Sequence, residues 1–467
     1  MGNRLEDQDL RAMGHAAVEW AAGYCDGLRD RPLVRRTTAA EVRGLLDWNL
    51  PQDGCEFSEL MRTVDGVVAE FSRHNGHPRF FGYVASPGVA VATAASAIAA
   101  AMNINVTSWR SGAVAAEMEK LTVGWLREMI GYPAEGMGLL VSGGSMANLA
   151  GLAAARSAKG NGAVYASAET HFSVKKAARL LAMGPVRGVP VDAELRMDVA
   201  ALERMVREDR AAGLAPAVVV ASAGTAGTGA VDRMDEIARV VRNEGLWLHA
   251  DGAYGALAAM AGSVRHLFAG LGEADSVSLD PHKWLYLPVG TGCVLYRDAG
   301  AARAAFGETA EYIRVVGLEQ DEAFAYWDYG PELSRPFRAL PLWMLIRSVG
   351  VRALSEAIEE NLACARYFAE LVGRSADVEM LAPVGLSIFC FRYRPGGFGG
   401  DLDALNERVM LRLQQGGSSY VSNTSVRGRF ALRGCVLNYR TTRRDMEVLL
   451  EDVREAGRSV LQEVGAG

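Results

Sequence analysis

Apolar and polar residues recur along this chain in two rhythms, and its central part carries both. From about residue 135 to 300, short apolar runs are followed by stretches with the spacing of an amphipathic helix: 138–141 then 146–157, 163–167 then 173–181, and 217–223 then 234–243. Three further runs follow at 246–250, 276–279 and 292–296. Strand and helix in alternation predict an α/β domain built on a largely parallel sheet. Ligands of such sheets lie off the carboxyl ends of the strands, so chemistry is sought just after each apolar run.

The flanks read differently. Residues 1–75 show helical periodicity at 11–28, 39–48 and 57–71, interrupted by Pro32 and Pro51, and predict a helical appendage that packs on something else. Residues 76–350 form the large domain. Residues 351–467 predict a smaller α/β domain: a helix at 351–372, a strand at 386–393, a helix at 402–413 and a strand at 430–438. A last helix starts at Thr442, with Asp445 three residues on at capping-box spacing. The run 80–109 has no formal charge but is dominated by Ala, Gly, Ser and Thr, which gain little from lipid; it predicts a buried helix in a close-packed interface rather than a membrane span.

Composition narrows the classes. The chain has 467 residues, half of them hydrophobic and 22% charged, enough to bury a sizeable core. Lys plus Arg is 49 against 55 Asp plus Glu, a net charge of −6 that gives no support for a nucleic-acid or membrane partner. Six scattered cysteines without a C-x-x-C pair signal neither a disulfide framework nor a metal site, and predict thiols in a reducing cytoplasm.

After the run 138–141 comes Ser142-Gly143-Gly144-Ser145-Met146-Ala147-Asn148, opening a helix. Glycines let backbone approach an anion, a helix start offers unpaired N–H groups, and Ser145 adds a hydroxyl, which together suit a phosphate. His171 follows the next run, and Asp251 follows 246–250 directly. An acid so placed among small residues needs a cationic partner. After 276–279 comes Asp280-Pro281-His282-Lys283-Trp284, and a lysine in such a mostly apolar stretch is a candidate for a neutral amine that forms an imine with a carbonyl. Phosphate cradle, histidine, acid and lysine together match the needs of pyridoxal 5'-phosphate, PLP.

The sequence resembles the group II PLP-dependent amino-acid decarboxylases, the family of aromatic-L-amino-acid decarboxylase. The resemblance is carried by His77-Pro78-Arg79-Phe80-Phe81-Gly82-Tyr83, Asn105-Val106-Thr107-Ser108-Trp109, Leu246-Trp247-Leu248-His249-Ala250-Asp251, Asp280-Pro281-His282-Lys283-Trp284 and Phe337-Arg338-Ala339-Leu340. It implies PLP-dependent fold type I, like that of aspartate aminotransferase, and a homodimer. It also implies that Lys283 is the Schiff-base lysine, that Asp251 pairs with the ring nitrogen, that Ala253 packs under the ring and that His171 stacks on it. Gly144, Ser145, Thr225 and Asp280 complete the cofactor site, and Tyr83, Val84, Thr107 and Arg433 fall near the substrate. The proton-returning tyrosine of the family's mobile loop falls on Tyr326, with Tyr329 as rival and His282 assisting.

Val84 and Thr107 stand where aromatic-acid members of that family carry phenylalanines, so an aliphatic amino acid is open beside an aromatic one. The expected reaction is decarboxylation of an L-amino acid to the amine and carbon dioxide. The alternative with the same cofactor is decarboxylation with oxidative deamination, giving an aldehyde. From another class, Gly224-Thr225-Ala226-Gly227-Thr228-Gly229 ends 22 residues before Asp251, close to a dinucleotide-binding oxidoreductase spacing, but in the order G-x-x-G-x-G.

Overall fold

The computed structural model describes residues 8–308, 322–416 and 418–465. Seven strands form the main sheet: β1 (Met137–Val141), β2 (Ala163–Ser167), β3 (Val186–Val189), β4 (Pro216–Ser222), β5 (Trp247–Asp251), β6 (Ser276–Leu279) and β7 (Gly292–Tyr296). Their order across the sheet is β1-β7-β6-β5-β4-β2-β3. β7 runs antiparallel to β1 and β6, while the pairs among β2 to β6 are parallel. β1 and β2 to β6 therefore end on one edge. Strands such as β4, Pro-Ala-Val-Val-Val-Ala-Ser, are buried from the second residue onward, as a sheet covered on both faces requires.

The six apolar runs all became strands, each within a residue of its expected bounds. Among the elements not read from the sequence are β3, whose Val-Arg-Gly-Val is mostly unburied at a sheet edge, and the helices Ala113–Ile130, Val199–Ala211 and Ala299–Phe306. The uncharged run holds the helix Ala90–Met102, which packs on the helix Ala339–Gly373 through one face. Only Ala92 and Ala95 are buried on it, and Ile98 and Met102 are half-exposed, so its other face has no partner among the described residues. No helix of the described residues is long and apolar enough to cross a membrane.

Near the amino terminus, helices Leu10–Asp26, Ala39–Leu45 and Phe57–Thr63 bury none of their residues. The carboxyl-terminal layer has a second sheet of β8 (Val378–Met380), β9 (Ile388–Tyr393), β10 (Ser422–Val426) and β11 (Arg429–Cys435), antiparallel throughout in the order β10-β11-β9-β8. The helix expected at 351–372 is the second part of Ala339–Gly373, bent at Gly350, whose φ of 77° and ψ of 158° are not helical. Leu342, Leu345, Leu354 and Ile358 of this helix pack in the core around the large sheet, while Phe368 and Val372 pack in the core under the small one. The last helix, Arg443–Gly465, is capped as its sequence predicts, because the Thr442 N–H and hydroxyl both donate to Asp445 Oδ2, at 2.9 and 2.8 Å.

Candidate active site

The edge where β1, β4, β5 and β6 end opens on a cavity of about 680 Å³. Of the residues singled out from sequence, Lys283, Asp251, Ala253, His171, Gly144 and Ser145 line it, as do Thr225, Asp280, His282, Tyr83, Val84 and Arg433.

Lys283 lies in the short helix Pro281–Trp284 just past β6. The surroundings of its amine differ from the apolar wall that the sequence suggests: Nζ is 2.9 Å from Asp280 Oδ2, an ion pair of largely buried groups. Asp280 Oδ1 is buried with no hydrogen-bond partner. His282 Nδ1 donates to the Thr291 carbonyl at 2.7 Å, so a neutral ring carries its lone pair on Nε2, 3.8 Å from Asp280 Oδ2.

Asp251 ends β5 and accepts from three donors: Asn148 Nδ2 at 3.0 Å, Ser278 Oγ at 3.2 Å and the Ala253 N–H at 3.3 Å. His171 caps the helix Phe172–Leu180 by accepting the Ser173 N–H on Nδ1, where the Ser173 hydroxyl lies at 2.7 Å. Burial pushes its imidazole below the usual histidine range, which keeps the ring neutral near pH 7.

The turn after β1 is built for close approach. Gly143 has φ 155° and ψ 176°, a conformation open essentially to glycine alone. A Cβ on Gly144 would lie 2.5 Å from Ala253 Cβ and 2.9 Å from Asp280 Oδ2. The helix Gly144–Lys159 starts there, and its first N–H groups have no acceptor within the helix. Thr225 is less free: its Oγ1 accepts the Ala230 N–H at 3.1 Å and lies 3.0 Å from Thr228 Oγ1. The run 224–229 opens no helix, since the next one begins at Met234. Gly229 instead lies so close to Gly385 that a Cβ there would overlap the Gly385 carbonyl. That removes the structural context that the dinucleotide reading needs.

Arg433 reaches the cavity from β11. Its Nε donates to the Ala226 carbonyl at 2.9 Å and Nη1 to the Tyr83 carbonyl at 2.8 Å, but Nη2 is buried with no partner, a cation open to an anionic ligand. Phe172, which the sequence did not flag, also lines the cavity, and its ring is 4.2 Å from that of His171.

Two expected site residues are not brought to this cavity. Tyr326 is fully buried; its hydroxyl donates to the Ala116 carbonyl at 2.9 Å, its N–H donates to the Thr107 carbonyl at 2.9 Å, and its ring covers the Arg335 guanidinium at 4.1 Å. It is a packing aromatic. Its rival Tyr329 stacks on Phe324 and does not line the cavity either. Thr107 is held by the same contact with Tyr326, and its Oγ1 is buried without a partner.

Sequence reasoning also missed the support of Asp251 and His171, namely Asn148, Ser173 and Ser278. A signal existed for Asn148, one turn after the Gly143–Gly144 pair on the helix that opens the cradle. The assembled set offers an amine, a carboxylate fixed by three donors, a neutral imidazole, an unpartnered guanidinium nitrogen and a glycine cradle at a helix start. These fit a ligand that carries a carbonyl, a basic ring nitrogen and a phosphate.

A family model described as the pyridoxal-dependent decarboxylase conserved domain matches residues 40–394. The aromatic-L-amino-acid decarboxylase of Bacillus atrophaeus is 33% identical over 466 residues, covering 98% of this chain and 97% of its own. The phenylacetaldehyde synthase of Petunia hybrida is 26% identical over 462 residues, covering 92% of this chain and 91% of its own. The crystal structure of Oryza sativa TDC with PLP and tryptamine superposes with a TM-score of 0.93 at 30% identity, covering 98% of this chain and 99% of that one.

Proposed function

This chain belongs to the pyridoxal-dependent decarboxylase family and is a PLP-dependent amino-acid decarboxylase of the α/β fold type I class; from that premise we propose that its substrate is an L-amino acid with an aromatic side chain, released as the amine and carbon dioxide. One observation carries the choice of side chain. Phe172 and Tyr83 line the cavity together with Val84, making good the ring area lost where Val84 replaces a phenylalanine. The name of the Bacillus atrophaeus relative agrees with that reading. The test is to supply all common amino acids and follow carbon dioxide and amine together. Carbon dioxide from aliphatic acids alone, or transamination without decarboxylation, sinks it.

PLP supplies a carbonyl that condenses with amines and a ring that accepts the electron pair left when carbon dioxide departs. In the proposed arrangement Lys283 Nζ holds it covalently. Asp251, oriented by its three donors, would accept the N–H of the ring and favour the protonated form of that nitrogen. His171 and the Ala253 methyl, which line the same cavity, would pack against the ring. Gly144 and Ser145 hold the phosphate with Thr225 nearby. Arg433 Nη2 takes an anionic group of the ligand, and His282 Nε2 holds or passes a proton beside Asp280. Gly144→Ala is accordingly expected to weaken PLP binding by roughly 10-fold, overpacking of a tight site costing about 1–3 kcal/mol. A PLP titration of the apoprotein measures it.

Amine and aldehyde products are separated by oxygen uptake during turnover. Tyr326 does not decide between them, because its hydroxyl is committed to the Ala116 carbonyl inside the core. Tyr326→Phe should leave the product ratio unchanged and cost about 1 kcal/mol of stability, the worth of one buried hydrogen bond. A shift toward aldehyde in that variant would restore Tyr326 to the reaction. The same product assay on Tyr312→Phe examines the other tyrosine that the sequence places between Phe306 and Tyr326, outside the described residues.

The proposal includes a homodimer. Ile98 and Met102 on the helix Ala90–Met102, and Val114 (75% exposed) and Leu121 on the helix Ala113–Ile130, are exposed on two helices that both pack on Ala339–Gly373, and Val289 (82% exposed) lines the cavity. Covering each such side chain is worth roughly 1.5–3 kcal/mol, which a second copy provides. Sedimentation at micromolar concentration should give twice the chain mass; a monomer there removes this part. All six cysteines are free, and burial pushes Cys390 up to about 12 and Cys364 up to about 11, so both stay as inert thiols. Free thiols suit a reducing compartment, and the proposed location is the cytoplasm.

A further inference from the structure

Behind Asp251 and His171 runs a chain of buried polar side chains that the proposed reaction does not itself use. Asn148 donates through Nδ2 to Asp251 Oδ2 and to Ser173 Oγ, each at 3.0 Å. With both amide hydrogens engaged, its Oδ1 is the acceptor, and the group that meets it at 2.9 Å is His249 Nε2. Burial pushes the imidazole of the wholly enclosed His249 down to about 4, so the ring is neutral with one N–H. That hydrogen sits on Nε2, leaving Nδ1 to accept from Ser276 Oγ at 2.8 Å. Ser276 Oγ accepts in turn from the Trp247 indole at 2.9 Å, a group that can only donate.

Every bond therefore points one way, from Trp247 through Ser276, His249 and Asn148 to a carboxylate that can only accept. A branch obeys the same logic. Ser173 Oγ accepts from Asn148, so its own hydrogen goes to His171 Nδ1, which also takes the Ser173 N–H. The hydrogen of His171 is then on Nε2. A flipped Asn148 would set its oxygen against Asp251 and leave two facing acceptors, which the donors behind it forbid. The backbone makes room for the chain: His249 and Asp251 share a face of β5, and a Cβ on Gly151 would lie 2.6 Å from the His249 ring.

We propose that Asn148 is a positioning residue for this site, its one carboxamide orientation fixing Asp251 as an acceptor-only carboxylate toward the PLP ring nitrogen and His171 as its Nε2–H tautomer. The inference rests on the reading of Asp251 and His171 given above and adds to it what holds both in register. The test compares four proteins: the natural chain, Asn148→Leu, Asp251→Asn and the double variant. Each apoprotein is titrated with PLP, and the dissociation constant and visible absorption band are recorded.

Asn148→Leu should weaken PLP binding by about 10-fold or more, the worth of a hydrogen bond to a charged group, and move the band toward that of Asp251→Asn. In the double variant, adding Asn148→Leu to Asp251→Asn should change affinity by less than about 2-fold, since a residue that acts through another is not additive with it. Unchanged affinity and band in Asn148→Leu, or two losses that simply multiply, overturn the proposal. Should Asn148→Leu fail to fold, the smaller and polar Asn148→Ser gives the same comparison. A natural chain that binds no PLP overturns the site reading instead, a separate result.

Discussion

Lys283→Ala is expected to lose covalent capture of PLP and to lower decarboxylation by on the order of 10³-fold or more, as removal of a covalent nucleophile does. Borohydride reduction followed by peptide mass mapping is the direct measurement: the natural chain should carry the reduced adduct on Lys283 and the variant on no residue. A label on another lysine would unseat Lys283 from its role. The ion pair with Asp280 complicates the alanine variant, because the amine is the 2.9 Å partner of a carboxylate whose other oxygen already has none. Lys283→Arg keeps a cation beside Asp280 but cannot form an imine. It should therefore melt close to the natural chain while remaining unlabelled and inactive, which separates chemistry from folding.

The second large effect lies in the scaffold. Arg335, fully buried, pairs with the equally buried Glu119 and donates to the carbonyls of Val106 and Leu140 at 2.8 and 2.7 Å. Glu119 also accepts the Leu140 N–H at 2.8 Å, so the pair ties the helix Ala113–Ile130 to β1. Arg335→Ala leaves that carboxylate enclosed without a cation and should cost about 3–5 kcal/mol. Replacing both, as Glu119→Gln with Arg335→Met, should cost clearly less than Arg335→Ala alone. Urea unfolding monitored by tryptophan fluorescence measures both, and a single-variant loss below about 1 kcal/mol would show that the pair contributes little.

The same pair shows where sequence reading stops. Strands were legible because runs such as Val218-Val219-Val220 and Ser276–Leu279 have no other way to be buried, and the site followed because functional residues stand directly after them. Lys283, Asp251 and His171 are all of that kind. Side-chain direction across elements was not legible: nothing in the order of residues says that Asn148 on a helix meets Asp251 on a strand, or that Phe172 faces the cavity. Tyr326 was misplaced for a related reason. The stretch Phe324-Ala325-Tyr326-Trp327-Asp328-Tyr329 reads equally as a loop or as packing, and the choice is made by the Arg335 guanidinium under its ring, nine residues on. The direction of β7 was hidden too, since periodicity carries no sense of direction.

The helix Ala339–Gly373 gives the architecture a property of its own. Its side chains are rooted in both cores, and its one bend, at Gly350, comes before Leu354 and Ile358, which still belong to the first. The carboxyl-terminal layer is thus spliced onto the main body by a common beam and cannot swing outward without extracting two turns of that beam from its socket. Arg433 adds a rivet between the small sheet and the carbonyls of Ala226 and Tyr83. Access to the cavity is then expected to depend more on side chains and loops at its rim than on movement of the small sheet against the large one.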